Sequence, residues 1–329
     1  RGRDAYARRS PEGLATAIKY FERAIALDTM YAQAHAELAQ TLALSLFYKY
    51  RRDEPPYEVA ARALRLANRA VRLQPGFADG YLARGYLGSV AGAPPDFVEK
   101  NYTIVQRLPS TNPYSQTWLV GLLAAKGQYD EALARLEQEV RNDPRSPAQR
   151  IAVALYALPA KRYLVTVRDA AAARALVPDI PITSQLELIG RLQLGGRAVD
   201  DCVNVPAGPY LGVRSLCLEA VGRPAEAQAA VDALFSMITD KAPIDSTFDL
   251  ALYVVEMSSY YAARRERDAA RQWLRQGMLE SPAAIDVRLI RAGFFNNEMI
   301  AFGDSLRHDA WNRVVQMAER ADREGRAVR

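Results

Sequence analysis

The sequence predicts an all-α fold, a right-handed α-solenoid of about eight helix pairs that ends in a C-terminal capping helix. Three observations predict it. Prolines that can end helices recur at a nearly constant interval, because Pro75 to Pro109 spans 34 residues, Pro109 to Pro144 spans 35, and Pro144 to Pro178 spans 34. Alanines and large apolar residues repeat with helical spacing in the same register. Runs typical of β-strands are essentially absent.

The clearest half-unit runs from Gly127 to Pro144. Gly127 can adopt the positive φ of a tight turn, whereas Pro144 cannot continue a helix. Small residues such as Ala132 stand where paired helices must approach closely, and large ones such as Leu136 fill the gaps between them. The same pattern recurs in residues 17–28, 63–75, 222–227 and 268–282.

These anchors divide residues 1–282 into eight helix pairs. The pairs cover residues 4–31, 32–77, 78–112, 113–146, 147–180, 181–207, 208–247 and 248–282. The second pair is longer than the others by an insertion at residues 48–56. The sixth is predicted to be the most irregular, because Pro206 and Pro209 break its second helix early. Residues 283–329 are predicted to form the terminal cap, with Asp304 as the N-cap of its helix.

The half-units resemble tetratricopeptide repeats (TPR) over nearly the whole chain. In addition, residues 1–28 and 306–315 are similar to the C-terminal repeat region of multidomain bacterial signalling proteins. In that family the repeats follow a serine/threonine kinase, a nucleotide cyclase or a winged-helix regulator, often after a membrane span. Ala310 and Asn312 depart from the family's closing pattern, which has Pro and Phe there. The resemblance implies bacterial signalling and a catalytic or DNA-binding part outside this chain.

Composition argues against most enzyme chemistries. The chain has two cysteines, Cys202 and Cys217, and two histidines, His35 and His308, which are too few for a zinc site or for Cys-His catalysis. It has no glycine-rich phosphate loop and no cluster with metal-ligand spacing. We therefore expect a protein without catalytic activity, cofactor, metal or small-molecule substrate. The cysteine pair is too little to indicate an oxidising compartment.

Charge and hydropathy restrict the partners further. The net charge of +5 comes from arginines dispersed among acidic residues, so nucleic acid is not an expected partner. No apolar run reaches the 18 residues or more that a bilayer span requires. The resemblance would nevertheless favour an extracytoplasmic location, tethered or docked to a membrane complex, if the chain were attached to a membrane-anchored signalling protein.

The acidic pairs and the histidine of the last helix have simple structural interpretations. Asp200 and Asp201, like Asp53 and Glu54, lack a third ligand or a base, and turns or helix starts account for them. His308 lies in the predicted cap, where a helix start accounts for it. A hydrolase or transferase that uses Asp200, Asp201 or His308 is the alternative from the enzyme class.

The densest basic run lies between Arg264 and Arg275. Glu266 and Asp268 interrupt it, as expected for a solvated helix face whose charges pair with one another. A row of phosphate contacts is the competing interpretation. It predicts nucleic-acid binding that weakens steeply with salt.

The predicted function is a non-catalytic scaffold or sensor module that binds another protein. In such a solenoid the first helix of each pair lines the groove, and the projected register gives this groove an aromatic and apolar middle. It suits a hydrophobic or amphipathic segment of a partner protein. The partner-binding candidates are Gln40, Leu82, Tyr86, Tyr114, Trp118, Leu155 and Ile189.

Three alternatives remain open at this stage. The aromatic candidates Tyr86, Tyr114 and Trp118 could be packing residues of the stack, as most aromatics in helical repeats are. The chain could be a structural subunit of a larger complex that docks through its outer surface. It could also be the regulatory domain of a kinase or cyclase.

Overall fold

The computed structural model describes residues 1–50, 53–108, 117–178, 180, 182–206, 209–240, 250–284 and 295–327. Regular secondary structure in these residues is helical, and one short 3-10 helix covers Asp201–Asn204. The first nine helices are α1 Gly2–Ala7, α2 Pro11–Leu27, α3 Ala32–Phe47, α4 Pro56–Leu73, α5 Ala78–Ala91, α6 Pro95–Val105, α7 Thr117–Ala125, α8 Tyr129–Asn142 and α9 Pro147–Ala157. The others are α10 Tyr163–Leu176, α11 Ile182–Leu194, α12 Arg197–Asp200, α13 Leu211–Ala220, α14 Pro224–Thr239, α15 Leu250–Ala263, α16 Arg267–Glu280 and α17 Asn297–Ala327.

The chain forms two compact units. Unit 1 contains residues 1–128, 281–283 and 306–329, and unit 2 contains residues 129–280 and 284–305. Within each unit, consecutive helices pack together, and the first helix of a pair also contacts the first helix of the next pair. In unit 1 α3 contacts α4 and α5, and in unit 2 α13 contacts α14 and α15. This is the neighbour-to-neighbour packing of a helical repeat, so the predicted helix-pair fold class is confirmed.

Local sequence explains where the helices of unit 1 begin and how closely they pack. The Ser10 side chain caps α2 by accepting a 3.1 Å hydrogen bond from the Gly13 N–H, and a proline occupies the first helical position. Ala39 of α3, Ala67 of α4 and Ala83 of α5 are fully buried in one cluster. These small side chains allow three helices to approach closely, as the repeat pattern predicts.

The sixth predicted pair is irregular, as its prolines indicate. After α11 the chain forms only the four-residue α12 and the 3-10 helix. A disulfide joins Cys202 of that 3-10 helix to Cys217 of α13, with the two Cα atoms 6.0 Å apart. Both cysteines are fully buried. The sequence did not indicate this bond, because only the fold shows that the two cysteines lie close together.

The last helix, α17, lies in the predicted C-terminal cap. Residues 306–327 of α17 belong to unit 1 and contact α5 and α6 there. The Arg307 guanidinium donates a 3.0 Å hydrogen bond to the Ser89 carbonyl, and the Trp311 ring lies 5.0 Å from the Phe97 ring. The Trp311 side of this segment is therefore buried in unit 1.

The turn after α5 lies in close contact with this segment of α17. Gly92 ends α5 with φ of +85°, a left-handed conformation that glycine adopts without strain. A Cβ atom at Gly92 would lie only 2.5 Å from the Arg307 carbonyl oxygen. The glycine thus serves both the turn and the close approach of α17.

We predict that Gly92→Ala destabilises the chain more than Gly127→Ala. Gly127 also has a positive φ, +74°, but no described atom lies within 4 Å of the position that a Cβ would take there. The Gly127→Ala variant therefore measures the cost of backbone strain alone. Strain alone costs about 1 to 2 kcal/mol, and the clash with Arg307 adds about 1 to 3 kcal/mol. Urea unfolding followed by circular dichroism measures both. Equal losses in the two variants would contradict the packing of α17 on this turn.

Candidate protein-binding surface

The groove candidates of unit 1 are largely packed inside the fold. Gln40 and Leu82 are buried, and the Gln40 Nε2 donates to the Asp79 carbonyl oxygen at 3.5 Å. Tyr86 is half-buried. Residues 34–46 of α3 are buried on every face, because α2, α4 and α5 all pack against this helix.

The groove candidates of unit 2, Leu155 and Ile189, are also buried. Ile189 lies in α11, which takes part in a buried polar network. The Gln185 Nε2 donates to Glu256 Oε1 at 2.8 Å, and the Val213 N–H donates to Glu256 Oε2 at 3.0 Å. The inner helices here are tied together by hydrogen bonds to a buried carboxylate.

The side chains of two further candidates lie outside the described part of the structure. Tyr114 is not among the described residues, and for Trp118 the structure describes the backbone in α7 but not the side chain. Partner binding through the seven groove residues therefore stays a prediction. Among their described side chains, that of Tyr86 alone is partly exposed.

The acidic and histidine candidates Asp200, Asp201 and His308 are all exposed. Asp201 accepts a hydrogen bond from Arg191 at 3.5 Å. Throughout the described residues, no group of three or more His, Cys, Asp or Glu side chains is arranged to hold a metal ion. No helix in the described part of the chain combines the length and hydropathy needed to cross a bilayer.

In the basic run between Arg264 and Arg275, three arginines have acidic partners: Arg264, Arg267 and Arg271. Arg264 forms ion pairs with Glu219 at 2.6 Å and with Glu266 at 3.1 Å. Arg271 forms an ion pair with Glu298. These guanidinium groups therefore have carboxylate partners within unit 2 already.

A cluster of exposed apolar side chains lies at the N-terminal end of unit 1. Its members, which we call the α2 patch, are Tyr20, Leu27, Met30 and Tyr31, and Leu27 and Met30 are 73% and 62% exposed. Tyr20 and Leu27 are seven positions apart and so share one face of α2. Met30 and Tyr31 follow in the turn to α3. Four of the eight large apolar side chains that are exposed in the described chain thus belong to one short segment.

Hydrogen bonds hold the turn that carries this patch. The Met30 N–H donates to Asp28 Oδ1 at 2.9 Å, and His35 Nε2 lies 3.0 Å from the Thr29 carbonyl oxygen. Burial lowers the pKa of His35 and so favours the neutral ring. The Thr29 carbonyl oxygen can only accept a hydrogen bond, which puts the proton of that ring on Nε2. The patch is therefore presented on a turn whose backbone is ordered before any partner arrives.

A stripe of arginines borders the patch. Helix α4 carries arginines at spacings of three and four residues, which place them on one helix face. We call them the arginine stripe: Arg62, Arg65, Arg69 and Arg72. Sequence reasoning noticed the denser run in α15 and α16 and missed this one, although the spacing is visible in the sequence.

The stripe contacts the patch directly. The Arg69 Nη2 lies 3.4 Å from the Met30 sulfur. Arg62 forms ion pairs with Glu54 at 3.2 Å and with Glu22 of α2. The surface therefore combines aliphatic and aromatic side chains with guanidinium groups at its edge.

No protein-family model matches the chain, and no curated protein matches it in sequence. Among solved structures it is similar to YrrB, described as a TPR protein with an unusual peptide-binding site, with 16% identity, a TM-score of 0.38, and coverage of 61% of this chain and 96% of that chain. It is also similar to a human IFIT1 dimer with PPP-AAAA, with 15% identity, a TM-score of 0.46, and coverage of 96% and 69%. The P58(IPK) TPR domain has 15% identity, a TM-score of 0.27, and coverage of 96% and 94%. Likenesses at this level do not extend to a ligand.

The buried His35 predicts a pH dependence of stability. Its folded pKa lies below the ordinary value of 6.5, so the unfolded chain binds the proton more readily. The stabilisation is complete above pH 6.5 and is lost as the pH falls through the folded pKa. We expect His35→Gln, whose amide can still donate to Thr29, to show a flatter pH profile of unfolding free energy. The exposed His308 provides the control.

The measurement is a set of urea titrations from about pH 7.5 to about pH 5 for the unsubstituted chain and both variants. His308→Gln should leave the profile unchanged. Profiles of equal slope for the unsubstituted chain and His35→Gln would show that the buried imidazole does not determine the acid sensitivity of this turn.

Proposed function

We propose that this chain is a non-catalytic scaffold or sensor that binds a hydrophobic or amphipathic segment of another protein through the α2 patch. The exposure of Leu27 and Met30 on an ordered turn carries the proposal. Contiguous exposed apolar side chains are typical of interaction sites, and an ordered turn loses little conformational entropy on binding. The helical repeat supports the proposal because it displays such surfaces on a rigid framework.

The predicted groove is a second candidate location, supported by the partial exposure of Tyr86. Tyr114 and Trp118 belong to this candidate by their position in the repeat register. The sequence resemblance of residues 1–28 and 306–315 supports a proposal about the kind of protein in which this chain acts. By this proposal the chain is a regulatory module of a bacterial signalling protein, and it lies outside the cytoplasm if a membrane anchor precedes it.

A selection from a displayed peptide library tests the proposal, because such a selection needs no identified partner. We expect peptides with apolar residues on one face to bind the chain, and Leu27→Ser with Met30→Ser to weaken their binding at least about tenfold. Each aliphatic side chain buried in the complex contributes about 1 to 2 kcal/mol. Affinities are measured by fluorescence anisotropy, and melting temperatures show whether the variant remains folded.

The matched control is Leu164→Ser with Leu279→Ser. These leucines of unit 2 are 73% and 63% exposed, so the substitution removes comparable exposed apolar area elsewhere. It should leave the affinity unchanged. If the α2 patch variant binds the selected peptides as tightly as the unsubstituted chain, the patch is not the site. Tyr86→Ala and Trp118→Ala then test the groove.

A further inference from the structure

The charges around the α2 patch indicate what kind of segment it receives. We propose that the partner segment is acidic, with apolar residues that cover the patch and carboxylates that pair with Arg65, Arg69 and Arg72. This inference rests on the proposed function and adds the chemical class of the partner. It follows from three observations: the register of two helices, the lack of carboxylates near these arginines among the described residues, and the aliphatic character of the two most exposed members of the patch.

The register of α2 and α4 places the arginine stripe along the patch. Glu22 of α2 pairs with Arg62 of α4. Met30, eight residues after Glu22, contacts Arg69, seven residues after Arg62. The chain from Glu22 to Met30 and helix α4 therefore run in the same direction. Arg65 lies between these two contacts, and Arg72 continues the same face past Met30.

In the part of the chain that the structure describes, three arginines of the stripe have no acidic partner. Within the described residues, no carboxylate oxygen lies within 4.0 Å of Arg65, Arg69 or Arg72, in contrast to Arg62. The Nε of Arg65 is buried without a hydrogen-bond acceptor in this part of the chain. A guanidinium group binds carboxylates through paired hydrogen bonds, so these side chains lack the partner that their geometry favours.

The acids closest in sequence to the patch are already engaged. Glu22 pairs with Arg62, and Asp28 accepts the Met30 N–H that shapes the turn. The exposed face of α2 adds two more cations, Lys19 and Arg23. The surface around the patch is therefore positive, and an acidic segment complements it.

A protein segment fits this surface better than a nucleic acid does. Leu27 and Met30, the most exposed members of the patch, are aliphatic and lie next to the cations. Nucleic-acid sites combine cations with aromatic platforms on which bases stack. The tyrosines of the patch, Tyr20 and Tyr31, are less exposed, at 41% and 44%, and Leu27 and Met30 offer neither phosphate contacts nor stacking. An acidic amphipathic helix or extended segment uses both components of the surface at once.

The test uses two labelled peptides with the full chain. The first has about 18 residues, with leucines on one helix face and glutamates on the other, and the second has lysines in place of the glutamates. We expect the acidic peptide to bind at least about tenfold more tightly, with an affinity that falls as salt is raised. A single-stranded RNA oligonucleotide is the third probe.

The variant Arg65→Gln, Arg69→Gln, Arg72→Gln should weaken binding of the acidic peptide at least about tenfold and reduce its salt dependence. The control replaces three exposed arginines of unit 2 by glutamine, Arg135, Arg141 and Arg145, and so removes the same charge from another surface. It should bind the acidic peptide like the unsubstituted chain. Circular dichroism and melting temperature show that both variants remain folded.

Each other outcome overturns the inference in a recognisable way. If the two peptides bind equally and both depend on Leu27 and Met30, the partner is not acidic, but the proposed function stands. If the acidic peptide does not bind, or binds independently of the stripe, the charge argument is wrong. Stripe-dependent binding of the RNA that exceeds that of the acidic peptide would assign the surface to nucleic acid. The proposed function itself fails only if the library selection finds no segment that depends on the patch.

Discussion

The close approach of neighbouring helices at alanine is the constraint on which the rest of the structure depends. Ala39, Ala67 and Ala83 are fully buried where α3, α4 and α5 meet, and a larger side chain at any of them would force the helices apart. Close packing on several sides buries residues 34–46 of α3. Side chains that a partner can reach are consequently found on outward faces and in turns, such as Leu27 and Met30.

Two kinds of charged group in this structure have different consequences for function. In unit 2 the buried carboxylates Asp169 and Glu187 each accept ion pairs from two arginines. Removing one partner of such a pair is costly because a buried charge is left uncompensated. In unit 1, Arg65, Arg69 and Arg72 border an apolar patch and lack acids within the described chain. Charges satisfied inside the fold stabilise it, whereas charges left without partners at a surface are available for recognition.

The sequence constrains the groove residues less tightly than it constrains the fold. A helical register tells which residues face the partner helix of a pair, but not how many other helices cover the remaining face. Leu155 and Ile189 are buried for this reason. Conversely, apolar residues near a helix end, such as Leu27, look like core residues in the sequence. The spacing of the arginine stripe is visible there as well, but the acid pairing of Arg62 and the lack of it at Arg69 are not.

The sequence by itself determined that the chain is an all-helical repeat, because prolines, glycines and alanines act locally and recur with a period near 34 residues. The tertiary structure decided the disulfide between Cys202 and Cys217, the exposure of the α2 patch, and the packing of residues 306–327 on unit 1. The Arg307 hydrogen bond to Ser89 joins residues 218 positions apart. No local pattern encodes such a contact, since it exists only once the intervening helices have packed.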